Sequence, residues 1–140
     1  MKIKIYNRPN PIIKIGNIDQ SVALTLCEAD APDMPIVYCS DPFQQLVGYH
    51  EQQILGRNCR FLQTPPKGQK VAPKDRKFNE VARKELKEKL SRMEEACVQL
   101  INYTSDGRRF LNVLTVVPIT WDGGKRYVVG FQADATRAFG

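Results

Sequence analysis

Four cysteines, one histidine and three amides are the residues with chemistry to offer in this chain. Cys27, Cys39, Cys59 and Cys97 are widely spaced and form no CxxC pair, and His50 is the only histidine. A structural zinc site and a histidine-based triad both need more than that. Cys59 lies within the run Gly56-Arg57-Asn58-Cys59-Arg60-Phe61-Leu62-Gln63. Taken alone, a free cysteine of this kind is a small buried hydrophobe. Asn102, Asn112 and Gln132 share one strand parity, each inside an otherwise apolar segment. A buried amide is costly unless its donors and acceptors are met. Either the three satisfy one another or a loop, or they read the edge of a planar heterocycle that carries carbonyls and an N–H.

Charge is concentrated rather than spread. Between Thr64 and Arg92 stand ten bases: Lys67, Lys70, Lys74, Arg76, Lys77, Arg83, Lys84, Lys87, Lys89 and Arg92. Four acids accompany them, Asp75, Glu80, Glu85 and Glu88, so this segment accounts for the whole net charge of +6. Most of these side chains read as a solvated helix face. One or two of them, with Arg60, suit a bound phosphate or diphosphate. Single-strand nucleic-acid binding needs aromatics among the bases, and Phe78 stands alone there.

The elements that must position these groups follow from pattern. Residues 1–20 carry Pro9, Pro11 and Gly16 around Ile12, Ile13, Ile15 and Ile18, which reads as an extended arm packing on the domain formed by residues 21–140. Ala23–Cys27 and Ile36–Cys39 are short strands around the turn-rich ADAPDMP. Ser40 or Asp41 caps a short helix through Val47, with Pro42 in its first turn. A second covers His50–Leu55 and ends at Gly56. After a proline-rich loop, Phe78, Val81, Ala82, Leu86, Leu90 and Met93 recur at helical spacing and predict an amphipathic helix over Asp75–Met93. Cys97–Tyr103, Phe110–Ile119 and Arg126–Ala133 are strands joined by turns at Ser105-Asp106-Gly107 and Trp121–Lys125. This is an α+β pattern. The last three strands are apolar on both parities, so the outer sheet face needs a cover, from the arm or from a second subunit.

The chain has 140 residues, a 42% hydrophobic and 26% charged composition, and a pI near 9.3, values ordinary for one globular domain. No apolar run reaches the roughly 20 residues of a membrane span. MKIKIYNRPNP has neither an apolar signal region nor a cleavage site, so secretion is not expected. Free thiols in a reducing compartment, cytoplasmic or nuclear, are the expectation.

The run GRNCRFLQ resembles the signature of the LOV (light, oxygen, voltage) family of blue-light sensors, a branch of the PAS fold. QLINYTSDGRRFLN and GFQ match the same family in the expected order, and the resemblance covers nearly the entire chain. It implies a five-stranded antiparallel sheet with short helices and one longer helix enclosing a flavin, behind an N-terminal cap arm. From Thr64 to Tyr103 the chain is longer than in the plant phototropin type. The added loop length and the leading segment NRPNPIIKIGNIDQS are similar to the fungal Vivid and white-collar group. In that group the loop makes room for the adenine end of FAD, so FAD is implied, with FMN as the alternative.

By that resemblance Cys59 is the photoactive thiol, bonding the excited flavin at C4a and releasing it in the dark. Asn58 and Gln63 bind the ribityl chain and Arg60 the phosphate. Asn102 and Asn112 read the pyrimidine edge, and Gln132 faces N5 and O4, where its amide can flip. Leu62, Leu114 and Ile36 are pocket walls. Two positions depart from the common pattern. Lys87 stands where a second phosphate arginine is frequent, with Arg83 one turn earlier able to share the role. Thr25 replaces an aliphatic residue, and its hydroxyl is expected to admit or orient water and speed dark recovery.

Cys27 and Cys97 read as inert core. Cys39, at a strand end, reads as exposed and able to form an inter-subunit disulfide. The expected function is a light sensor that is not an enzyme, working through arm packing and a light-dependent homodimer or white-collar-type partners to regulate light-responsive transcription. Neither direct nucleic-acid binding nor a membrane is expected, and a small stand-alone regulator is favoured over a fragment of a larger transcription factor. The alternative is a flavin- or thiol-based redox sensor of the same fold.

Overall fold

The computed structural model describes residues 22–66 and 68–136. Five strands, β1 (Leu24–Glu28), β2 (Ile36–Cys39), β3 (Ala96–Tyr103), β4 (Arg109–Thr120) and β5 (Arg126–Asp134), form one sheet in the order β2-β1-β5-β4-β3. All four pairings are antiparallel. This is the architecture expected from the sequence.

Between β2 and β3 lie α1 (Asp41–Val47), α2 (Glu51–Ile54), a 3-10 helix (Cys59–Gln63) and α3 (Pro73–Ser91). Ser40 caps α1, its hydroxyl accepting from the Phe43 N–H. Gly48 closes α1 at φ 76°, a conformation glycine adopts without a Cβ penalty. The 3-10 helix has no hydrophobic period to announce it. It is set instead by Asn58, whose side chain caps it by accepting from the Arg60 N–H at 2.9 Å.

The main apolar core joins sheet and helices: Cys27, Ile36, Cys39, Phe43, Val47, Ile54, Leu62, Ala96, Phe110, Val116 and Val128. The opposite sheet parity forms a second buried cluster of Leu24, Leu26, Val117 and Val129. The outer face is therefore apolar, as its sequence requires. The arm expected to cover it, residues 1–20, lies outside the described residues.

Three expectations need correction. The helix over 73–91 turns a different face inward: its buried residues are Asp75, Asn79 and Ala82, while Phe78 and Val81 are 43% and 70% exposed. Polar anchoring decides the rotation. Asn79 donates to the Ile101 carbonyl (2.9 Å) and accepts its N–H (2.8 Å), occupying the free edge of β3. Arg109 on β4 donates twice to the Asp75 carboxylate, both at 2.9 Å. Second, Cys39 is buried, not exposed, because it pairs in register with the inward-facing Thr25. Burial pushes its thiol up to about 11, which removes the surface disulfide role. Third, Cys97 is exposed on the outer face rather than in the core, its sulfur accepting from the Thr115 hydroxyl.

Candidate functional site

One sheet face and the helical layer enclose a cavity of about 890 Å³. Strand alternation builds its floor. In register, Thr25 faces Gly130, Cys27 faces Val128, Val116 faces Gly130 and Leu114 faces Gln132. Leu100 and Asn112 are also paired, so these side chains share the inner face with Asn102, two residues along β3. The 3-10 helix supplies Cys59, Arg60, Leu62 and Gln63, and α3 supplies Arg83, Leu86, Lys87 and Leu90.

Every site residue expected from the sequence lines this cavity except Ile36. Ile36 is fully buried in the core cluster beside it. The backbone explains that placement: the Ile36 N–H donates to the Arg57 carbonyl and its carbonyl accepts from Gly56 N–H, tying it into the segment behind the 3-10 helix.

Two of the three amides bond to each other, and the third is held by its own strand and by β1. Asn112 Nδ2 donates to Asn102 Oδ1 at 2.8 Å, and Asn102 Nδ2 donates to the Ile101 carbonyl. Gln132 Nε2 donates to the Gly130 carbonyl at 3.0 Å and to Thr25 Oγ1 at 3.3 Å. Both alternatives for the amides thus have a physical basis: they bond locally, and they also line a large interior space.

The mouth is polar. Asn58 Nδ2 donates to the Asp33 carbonyl and Arg60 Nη2 to the Asp33 carboxylate, both at 2.7 Å. Asp33 and the next residue, Met34, hold φ of 62° and 48°, so these two contacts pin a left-handed turn. The Arg60–Asp33 pair is well exposed, and such pairs contribute at most about 1 kcal/mol. Arg60 is thus free to exchange partners at little cost. Arg83 donates to the Gln63 side-chain oxygen.

Cys27, inert core by its sequence pattern, instead lines the cavity beside Cys59. Its signal was positional: two residues after Thr25 on one strand, it must share that face. The two sulfurs are 3.9 Å apart. This contact, and then burial, pushes the Cys27 thiol up. Hydrogen bonding from Cys27, and secondarily from Thr25, holds the Cys59 thiol below its usual range despite desolvation. Gly130 also lines the cavity, and no turn or positive φ marks it in the sequence.

Residues 21–137 match the model of the PAS domain family. A solved fungal LOV domain photoreceptor is 41% identical, over 91% of this chain and 83% of that one, with a TM-score of 0.76. This chain is a LOV domain of the PAS family. The light-state dimer of the fungal blue-light photoreceptor Vivid is 37% identical, over 91% of this chain and 87% of that one, with a TM-score of 0.71. White collar 1 protein of Neurospora crassa is 41% identical over 93% of the LOV domain, which spans only 11% of that protein's length. Both of the solved relatives are named as photoreceptors.

Proposed function

We propose that the cavity holds a flavin and that Cys59 supplies the sulfur of a reversible, light-driven bond to it. The observation that carries this reading is that Cys59, from the 3-10 helix, and the amides of Asn102, Asn112 and Gln132, from the sheet, line one cavity. The residues suit the group. Leu62, Leu86, Leu100, Leu114, Val116 and Val128 give apolar walls for a planar ring, and the amides offer both donors and acceptors to its polar edge. When bound, the flavin absorbs blue light and presents an electrophilic ring carbon to a thiol. No activating base is required, and His50 is exposed on the surface as the N-cap of α2.

Arg60, Arg83 and Lys87 surround the mouth and fit phosphate. An adjoining cavity of about 310 Å³, lined by Val71, Arg76, Asn79 and Arg83 among others, gives room beyond the phosphates. This favours FAD, with FMN as the smaller alternative. The output is a changed outer face, read by a second copy or by a white-collar-type partner and passed to transcription. Residues 1–20 are proposed as the arm that reports it.

The test is optical. The purified chain should be yellow, bleach under blue light and recover in darkness. Cys59→Ala should keep the flavin and lose the bleaching, because the binding groups remain while the sulfur is gone. Reversible bleaching that persists in this variant assigns the chemistry to another residue.

A further inference from the structure

We infer that Cys27 and Cys59 form an oxidisable dithiol, a disulfide-forming modification site inside the cavity that withdraws Cys59 from the light reaction. The photochemical half of this inference rests on the role of Cys59 proposed above; the disulfide itself does not.

The geometry singles out this pair. The sulfurs are 3.9 Å apart although the residues are 32 positions apart in the chain. A disulfide bond is about 2.05 Å long, so closure requires an approach of about 2 Å. Cys27 is fixed in β1 between two strands, while Cys59 begins a 3-10 helix of five residues and is only partly buried. The approach therefore falls to the short helix. Both cysteines line the cavity, and Cys59 is only partly buried, so a small oxidant reaches the pair from its side. Among the described residues no other two thiols are in contact: Cys39 lies in the core beneath α1, and Cys97 faces outward against Thr115.

The oxidant class is a peroxide, and the roles divide by chemistry. Thiolate is the reactive form, and Cys59, with its lowered range, is the first to react. Its sulfur attacks one peroxide oxygen: the S–O bond forms, the O–O bond breaks, and hydroxide leaves to become water on taking the proton Cys59 gave up. Cys59 is now a sulfenic acid. The Cys27 sulfur then attacks the Cys59 sulfur, the S–S bond forms as the S–O bond breaks, and the Cys27 proton leaves with hydroxide as a second water. Two thiols are oxidised and one hydrogen peroxide is reduced to two waters. A dithiol reductant reverses the link and restores the free Cys59 sulfur.

The experiment treats the purified flavin-loaded chain with dilute hydrogen peroxide in the dark. Free thiols are then alkylated, and the peptides are mapped by mass spectrometry. The expected product is a peptide joining Cys27 to Cys59, lighter by the mass of two hydrogen atoms and absent after dithiothreitol. Bleaching under blue light should fall in proportion to the linked fraction and return with the reductant. In Cys27→Ala the link cannot form, and peroxide should drive Cys59 to higher acids whose loss of bleaching dithiothreitol does not repair. Peroxide-treated protein in which Cys59 is oxidised without ever joining Cys27 overturns the dithiol. Linked protein that bleaches fully overturns the silencing. If reduced, untreated protein fails to bleach at all, the photochemical reading falls, while the peptide map still decides the disulfide.

Discussion

At the residue scale, Gly130 shows how tightly the cavity floor is set. Its backbone does not require glycine, but its surroundings do. A Cβ there meets Thr25 Oγ1 at 2.7 Å, Gln132 Nε2 at 3.3 Å and Leu114 Cδ1 at 3.4 Å. The same Thr25 oxygen accepts from Gln132. Adding a methyl therefore presses on the hydroxyl and the amide together, and overpacking of this kind costs about 1–3 kcal/mol. Gly130→Ala should lower the midpoint of thermal unfolding and weaken flavin retention. In a Thr25→Ala background the nearest oxygen is gone, so the added methyl should cost clearly less. Equal losses in the two backgrounds, measured as a double-mutant cycle, would show that the Thr25 contact is not what excludes a side chain.

At the scale of elements, α3 explains both what the sequence disclosed and what it hid. Strand alternation and turn residues place all five strands to within a residue or two at their ends, and the resemblance carried by the motif around Cys59 names about half of the residues that line the cavity, with neither Cys27 nor Gly130 among them. Periodicity gave the existence of α3 and misjudged its inward face. Apolar spacing favours Phe78 and Val81, but the bonds that fix the helix come from Asp75 and Asn79, polar residues that a hydrophobic pattern assigns to solvent. Ile36 illustrates a related limit of pattern: strand parity tells that it faces inward, not whether the space beyond is cavity or core. The Asp75 anchor has a pH signature. Hydrogen bonding from Arg109 holds the Asp75 carboxyl below the usual carboxylate range. A carboxyl with a depressed folded-state pKa adds stability above its unfolded value, about 3.9, and loses it as pH falls through the lower folded value. Acid titration of the unfolding midpoint should therefore show a decline beginning near pH 4 that Asp75→Asn flattens, with the variant already less stable at neutral pH. Parallel curves for the two proteins would mean that the ion pair does not orient α3.

At the scale of the whole molecule, the proposed light signal has to pass from the cavity to the outer sheet face, and β5 is the central strand that borders both. Gln132 points into the cavity, while the outward Phe131 pairs in register with Leu24 of β1 and Thr115 of β4. The Gln132 N–H also donates to the Ala23 carbonyl at 2.9 Å, just ahead of β1. Its side-chain amide is already engaged with Gly130 and Thr25, so a neighbour that changes from acceptor to donor gives it reason to rotate. Rotation exchanges donor for acceptor at two strands at once and biases the packing of Leu24, Phe131 and Thr115 on the far side. A light-state dimer of Vivid shows that a LOV relative assembles in that state. For this chain the outer face, with Leu111 and Val113 half-buried, is the surface such a shift would offer by apolar burial. A coupling of about 1–3 kcal/mol is enough to move a monomer–dimer balance several-fold. Gln132→Leu keeps the volume near the ring and removes the exchangeable amide. It should still bleach through Cys59, yet its elution in size-exclusion chromatography should be nearly the same in light and darkness, where the unaltered chain shifts toward a larger species. A full light-induced shift in Gln132→Leu would route the signal through the 3-10 helix and the mouth instead of through β5.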